Sequence, residues 1–230
     1  MYIVISPGGT LKALLGIILF LVIASSLGVA WFIAYPPVER VPLWVNLFNL
    51  NLEANIPTLF SSLQLLAASC LLFGIAHCHR AKQQASFSWY LLGVIFIGLA
   101  IDETAALHEN LTVYLRSTLG TSGYFYYAWV IPYGLAALLL AVLFANFLLR
   151  LPRATGVGFV VAGGLYLTGS LGLEMLAGKY ISSPGAQEIT YSLLYTVEET
   201  FEMLGIALFI YALLKYITRT FVQLDYSVRG

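Results

Sequence analysis

Six apolar runs, each near the ~20 residues that a helix needs to cross a bilayer, dominate this 230-residue sequence. They lie at 11–35, 56–78, 88–110, 125–149, 155–177 and 190–214. Hydrocarbon offers the backbone no hydrogen-bond partner, so a spanning run must satisfy its own amides as a helix or close with others into a barrel. The runs are continuous rather than alternating, which argues against a barrel. The expected fold is an all-α integral membrane protein, a bundle of about six transmembrane helices forming one domain over residues 1–230. Charged residues make up only 10% of the chain, against about 25% in soluble proteins, and the short loops leave no room for a separate soluble domain.

A net charge of zero hides an asymmetry. Lys12, Arg80, Lys82, Arg150, Arg153, Lys215 and Arg219 fall at the ends that six alternating spans place on one side, and Arg40, Arg116 and Lys179 on the other. The positive-inside rule puts both termini in the cytoplasm, with Asp225 the cytoplasmic acid. The first span is too long, and its basic flank (Lys12) too thin, for a cleaved signal, so it is read as a retained helix. Cys70 and Cys78 imply no disulfide framework, with Cys78 expected in a cytoplasmic loop.

Smaller features fit this frame. Trp31, Trp44, Trp89 and Trp129 fall near span ends, as an interfacial aromatic belt requires. Pro36-Pro37 ends the first helix, and 41–51 is too short and polar to cross, so it should lie along the outer interface. Pro57 suits the first turn of the second span. The third span is expected to continue helically over His108–Leu115, and Pro132 to kink the fourth. Gly163, Gly164, Gly169 and Gly172 give the fifth a small-residue packing face.

Eight of the eleven acidic residues lie in or against these spans: Glu53, Asp102, Glu103, Glu109, Glu174, Glu198, Glu199 and Glu202. A carboxylate in hydrocarbon costs roughly 2.5–3.5 kcal/mol on insertion scales, and no Lys or Arg lies deep in a span to pair with them. Protons, water or a metal ion must compensate. At about 1.5 Å of rise per residue, Asp102, Glu174, Glu198, Glu199 and Glu202 all come out about 20–25 Å from the cytoplasmic ends. They form one layer in the outer third of the bilayer, with Glu53, His108 and Glu109 as a lid. Glu198, Glu199 and Glu202 share one helix face, and Asp102 and Glu109 lie nearly in line. On a straight helix Glu103 and His108 stand about 140° apart.

Packed carboxylates repel, and a divalent cation relieves the repulsion. The metal-ligand set is drawn from Asp102, Glu103, His108, Glu109, Glu174, Glu198, Glu199 and Glu202. Its expected core is Asp102 or Glu103 with Glu174, Glu199 and Glu202; His108 is the one nitrogen ligand near the layer. Oxygen-rich surroundings suit Mn, Fe, Ca or Mg, and Zn can also bind through His and carboxylates. The Glu-x-x-His pairs of bridged di-iron sites are absent. Tyr191 and Tyr195 are placed to hydrogen-bond carboxylates. The structural alternative is protonated carboxyls bonded to Ser, Thr or Tyr between helices. His77 and His79, flanking Cys78, are read as a solvated loop.

Three functional classes stay open. Transport or channel activity, handling a divalent cation or protons, is favoured by the absence of a nucleophile motif. It also draws on Asp102-Glu103-Thr104 echoing Glu198-Glu199-Thr200 in oppositely running helices, as an inverted repeat would. A metal-dependent enzyme acting on a lipid or envelope substrate would use Glu103 or Glu198 as general base. An accessory subunit of a larger membrane complex, or a homo-oligomer, is the third. The sequence has no Ser-His-Asp order, HExxH, phosphate-binding loop or nucleic-acid signature.

The words Ile101-Asp102-Glu103-Thr104-Ala105-Ala106-Leu107-His108-Glu109 and Glu198-Glu199-Thr200-Phe201-Glu202-Met203-Leu204-Gly205, with Leu173-Glu174-Met175, resemble a family of bacterial six-helix membrane proteins marked by IDExxxLHE and EExxEMLG. The resemblance covers about residues 50 to 218. It implies a bacterial cytoplasmic membrane, with the site facing the periplasmic or extracellular side, and no mechanism, since that family has no established activity.

Overall fold

A computed structural model describes residues 6–35 and 41–222. Pro36, Pro37, Arg40 and Asp225 lie outside the described residues. Regular structure among the described residues is helical: α1 (Pro7–Ala34), α2 (Leu43–Leu47), α3 (Ile56–Ala81), α4 (Phe87–Ala105), α5 (Leu107–Leu119), α6 (Val130–Arg150), α7 (Arg153–Leu167), α8 (Glu174–Ile181) and α9 (Glu188–Ile217). A π-helical turn, Thr168–Leu173, joins α7 to α8. Six helical stretches are long and apolar enough to cross a membrane: α1, α3, α4, α6, the α7–α8 unit and α9. The segment between the first two holds the short α2.

Local chemistry sets the helix ends. Ser6 caps α1 through Gly9 N–H, with Pro7 in the first turn. Asn55 caps α3 through Thr58 N–H at 3.1 Å, and Pro57 sits in that first turn, where its missing N–H costs nothing. Pro132 is only the third residue of α6. The first four N–H groups of any helix lack an internal partner, so Pro132 removes no bond and the expected kink has no cause. Gly123–Phe125 forms a separate 3₁₀ turn ahead of it, which shortens the expected fourth span.

The third span is not one straight helix. Ala106 adopts a left-handed backbone (φ 48°, ψ 43°), ending α4 and starting α5. In a continued helix the His108 N–H would bond Thr104; it instead bonds the Asp102 carboxylate at 3.0 Å. A left-handed L-residue costs about 1–2 kcal/mol, and this side-chain cap offsets it.

α9 is the axis of the bundle. It packs on α1, α3 and α7, burying Met203, Ala207, Phe209 and Leu213. Two glycines allow backbone contact there. A Cβ on Gly205 would stand 2.8 Å from the Tyr166 nitrogen, and one on Gly169 would stand 2.8 Å from the Glu198 carbonyl oxygen. Gly163 and Gly164 meet nothing within 4 Å and Gly172 only its own helix, so the expected four-glycine packing face reduces to Gly169.

α6 is the least buried span. Side chains hold it at both ends: Tyr133 Oη donates to Asp102 Oδ1 at 2.9 Å, and Phe147 stacks edge-on against Trp89 at 4.9 Å. Trp89 and Trp129 are 3% and 7% exposed, so neither belongs to an interfacial belt.

The far end of the bundle carries the basic residues. There Lys82 Nζ lies 4.9 Å from the Phe221 ring, tying the end of α3 to that of α9. His79 is buried on α3, its ring nitrogens 2.6 Å from Gln84 Oε1 and 2.8 Å from Tyr216 Oη, stacked on Trp89. His77, Cys78 and His79 therefore belong to a helix, not a loop, and His79 is a packing residue.

Candidate functional site

One cavity of about 1040 Å³ opens among α4, α5, α6, α7, α8 and α9. Glu53, Asp102, Glu103, His108, Glu109, Glu174, Glu198, Glu199 and Glu202 all line it. These acids share one cavity wall because Gly169 and Gly205 let the α7–α8 unit close onto α9.

The tightest grouping is at the lid. Ligand atoms of Glu53, His108 and Glu109 all lie within 4.8 Å of one another. The break at Ala106 is responsible, since it folds His108 back over Asp102, which a straight helix could not do. Asp102 Oδ2 then lies 3.2 Å from His108 Nδ1, leaving Nε2 facing Glu53 Oε1 at 3.8 Å. Glu53 Oε2 accepts from Thr58 Oγ1 at 3.1 Å, and the turn that presents it passes through Ala54 with φ 57°. The Trp129 ring covers the imidazole at 5.0 Å.

Electrostatics at the lid follow from this packing. Burial pushes the Glu53 carboxyl above the usual carboxylate range, against the pull of His108 and Thr58. For His108, burial opposes the charged ring, but the Asp102 hydrogen bond and the charges of Asp102 and Glu53 outweigh it and raise its pKa.

The deeper acids share the cavity without forming a second such cluster among the described residues. Glu174 Oε1 accepts from Trp129 Nε1 at 3.3 Å. Glu198 is 6% exposed, while Glu103, Glu199 and Glu202 are half-buried against the cavity. The π turn before Glu174 holds more residues per turn than an α-helix, so it changes the phase of Glu174 from the one a uniform helix predicts. Tyr191 bonds Tyr127 Oη at 2.8 Å rather than a carboxylate.

Two site residues were hidden in the sequence. Trp129 reads there as an interfacial anchor, and Tyr133 is not singled out. Their spacing of four, which places both on one face of a helix, was the available signal. Below Tyr133, Tyr166 and Glu202 the lining changes to Leu, Ile, Val, Phe, Ala and Gly. The Asp-Glu-Thr echo is also local. Thr104 and Thr200 each bond the carbonyl four residues back, but α4 stops at Ala105 whereas α9 runs on to Ile217.

No curated protein and no solved structure matches the chain. A family model does match over residues 14–216, a range that takes in every acid of the cavity, and the chain belongs to that family, described as "Domain of unknown function (DUF8692)".

Proposed function

We propose that this chain is a metal-dependent membrane enzyme, holding a divalent cation among Glu53, His108 and Glu109. One observation carries the reading: Asp102 engages His108 Nδ1 while Nε2 faces Glu53 at 3.8 Å, and ligand atoms of Glu53, His108 and Glu109 gather within 4.8 Å of one another. Metal-bound histidines are typically oriented by a carboxylate on their other nitrogen, and losing that partner weakens binding. Asp102 is on this reading an orienting residue. A mixed O/N set suits Mn, Fe or Zn. The cation would activate water, and Glu103 or Glu198, farther down the same wall, would take the proton.

Transport is supported less well. The inner half of the cavity carries no polar side chain to replace a cation's hydration shell, and the two halves of the sequence echo pack differently. The chain is assigned to a bacterial cytoplasmic membrane with both termini cytoplasmic. The basic cluster at the far end of the bundle then faces inward and the cavity's acidic mouth outward. The deciding experiment is elemental analysis of detergent-purified protein, wild type beside Glu53→Gln, His108→Gln and Glu199→Gln. Stoichiometric metal lost in the first two variants and kept in the third supports the lid site. Loss in Glu199→Gln alone would move the centre to the deeper acids, and no metal in any sample would reject it.

A further inference from the structure

The apolar half of the cavity has a shape that metal chemistry alone does not require. On α6 it is lined from Ala136 to Leu148, about 18 Å at 1.5 Å per residue, a little more than half of the ~30 Å hydrocarbon thickness of a bilayer. Small side chains make the space. Ala136, Ala137 and Ala141 of α6 line it together with Gly163 and Gly164 of α7, where a Cβ would meet nothing within 4 Å. The ends of α6 are pinned by Tyr133 on Asp102 and Phe147 on Trp89, so the gap is held open between two fixed points. Apolar cavities stay dry and take apolar ligands. The whole cavity, acidic and apolar parts together, is about 1040 Å³, at the top of the range of small-molecule sites, about 300–1,000 Å³, and far larger than an ion needs.

We infer that the limb between α4, α6 and α7 holds an acyl chain of a zwitterionic aminophospholipid, whose headgroup lies at the carboxylates. The chain would run past Phe96, Leu140, Phe144 and Phe159. At the polar end the cavity offers both signs of charge. Arg116 lines it, with its guanidinium 3.7 Å from the Tyr126 ring, and so do Glu109, Glu174 and Glu198. A phosphate suits Arg116 and a bound cation; an ammonium suits the carboxylates. The headgroup assignment rests on the metal reading above, whereas the acyl-chain site stands on the cavity alone.

The test uses full-length protein in nanodiscs with a phosphatidylethanolamine-type lipid that carries a photoactivatable group in its acyl chain. Peptide mapping should place label on Leu140, Phe144 and Phe159. Gly163→Leu and Ala137→Leu, which fill the limb from opposite walls, should each lower that label at least fivefold. Labelling of the lipid-facing α1 residues Leu19 and Phe20 should stay unchanged. Limb label that neither filling variant lowers, or label confined to outer faces, overturns the site. A glycerol-headgroup anionic lipid labelling the limb equally overturns the headgroup assignment. Metal content measured on the same samples separates the two readings, because limb labelling without metal rejects the enzyme centre and leaves the chain site standing.

Discussion

Asp102 and His108 are bonded twice across a break in the helix that carries them, through the backbone N–H at 3.0 Å and the ring Nδ1 at 3.2 Å. One carboxylate therefore caps α5 and orients the imidazole, so local folding and site assembly are the same event.

Asp102→Asn keeps the side-chain shape but weakens the grip on Nδ1. Metal affinity is expected to fall about 10- to 100-fold, as for other outer-shell partners, while the purified protein stays folded. Calorimetric titration of metal-stripped protein with Mn²⁺ or Zn²⁺ measures this. Equal affinities for variant and wild type would remove Asp102 from the site.

The left-handed Ala106 is a point of stored strain. Relief of about 1–2 kcal/mol should outweigh the extra unfolded-state freedom of glycine, about 0.4–1 kcal/mol. Ala106→Gly is thus expected to raise the melting temperature in detergent and Ala106→Val to lower it, as read by scanning fluorimetry. The reverse order would mean that the break is not held at this residue.

Backbone contact at α9 makes the glycines unequal. Gly205→Ala and Gly169→Ala each force a methyl to within 2.8 Å of main-chain atoms, and overpacking of this kind costs about 1–3 kcal/mol. Gly163→Ala meets nothing and should be neutral or slightly stabilising, since alanine is the better helix former by about 1 kcal/mol. Thermal unfolding of the three variants side by side gives the comparison.

At the opposite end, His79→Leu would leave the buried Tyr216 hydroxyl without its partner. Stability should drop by about 1–3 kcal/mol with metal content unchanged. A parallel loss of metal in a still-folded variant would show that the two ends are coupled.

Much of the fold was legible because hydropathy is a local property. The six spans follow the apolar runs, and the acids that helical rise grouped, Asp102, Glu174, Glu198, Glu199 and Glu202, line one cavity. The errors came where a helix departs from uniform geometry. Glu53, His108 and Glu109 do group as the expected lid, but a straight third helix gave no sign of the Asp102–His108 bond, and a π turn changed the phase of Glu174. Trp89 and Trp129 looked like interface anchors because hydropathy says nothing about which side of a helix faces protein.

The sequence by itself determined how many helices can span, where the basic and acidic ends lie, and that carboxylates gather near one of them. Only the tertiary structure decided which of those groups meet. A carboxylate reaches a partner over about 3 Å, far less than the spacing of helices, about 8–10 Å. Who meets whom therefore depended on contacts between distant residues: Gly169 against Glu198, Tyr133 against Asp102, Trp129 against Glu174.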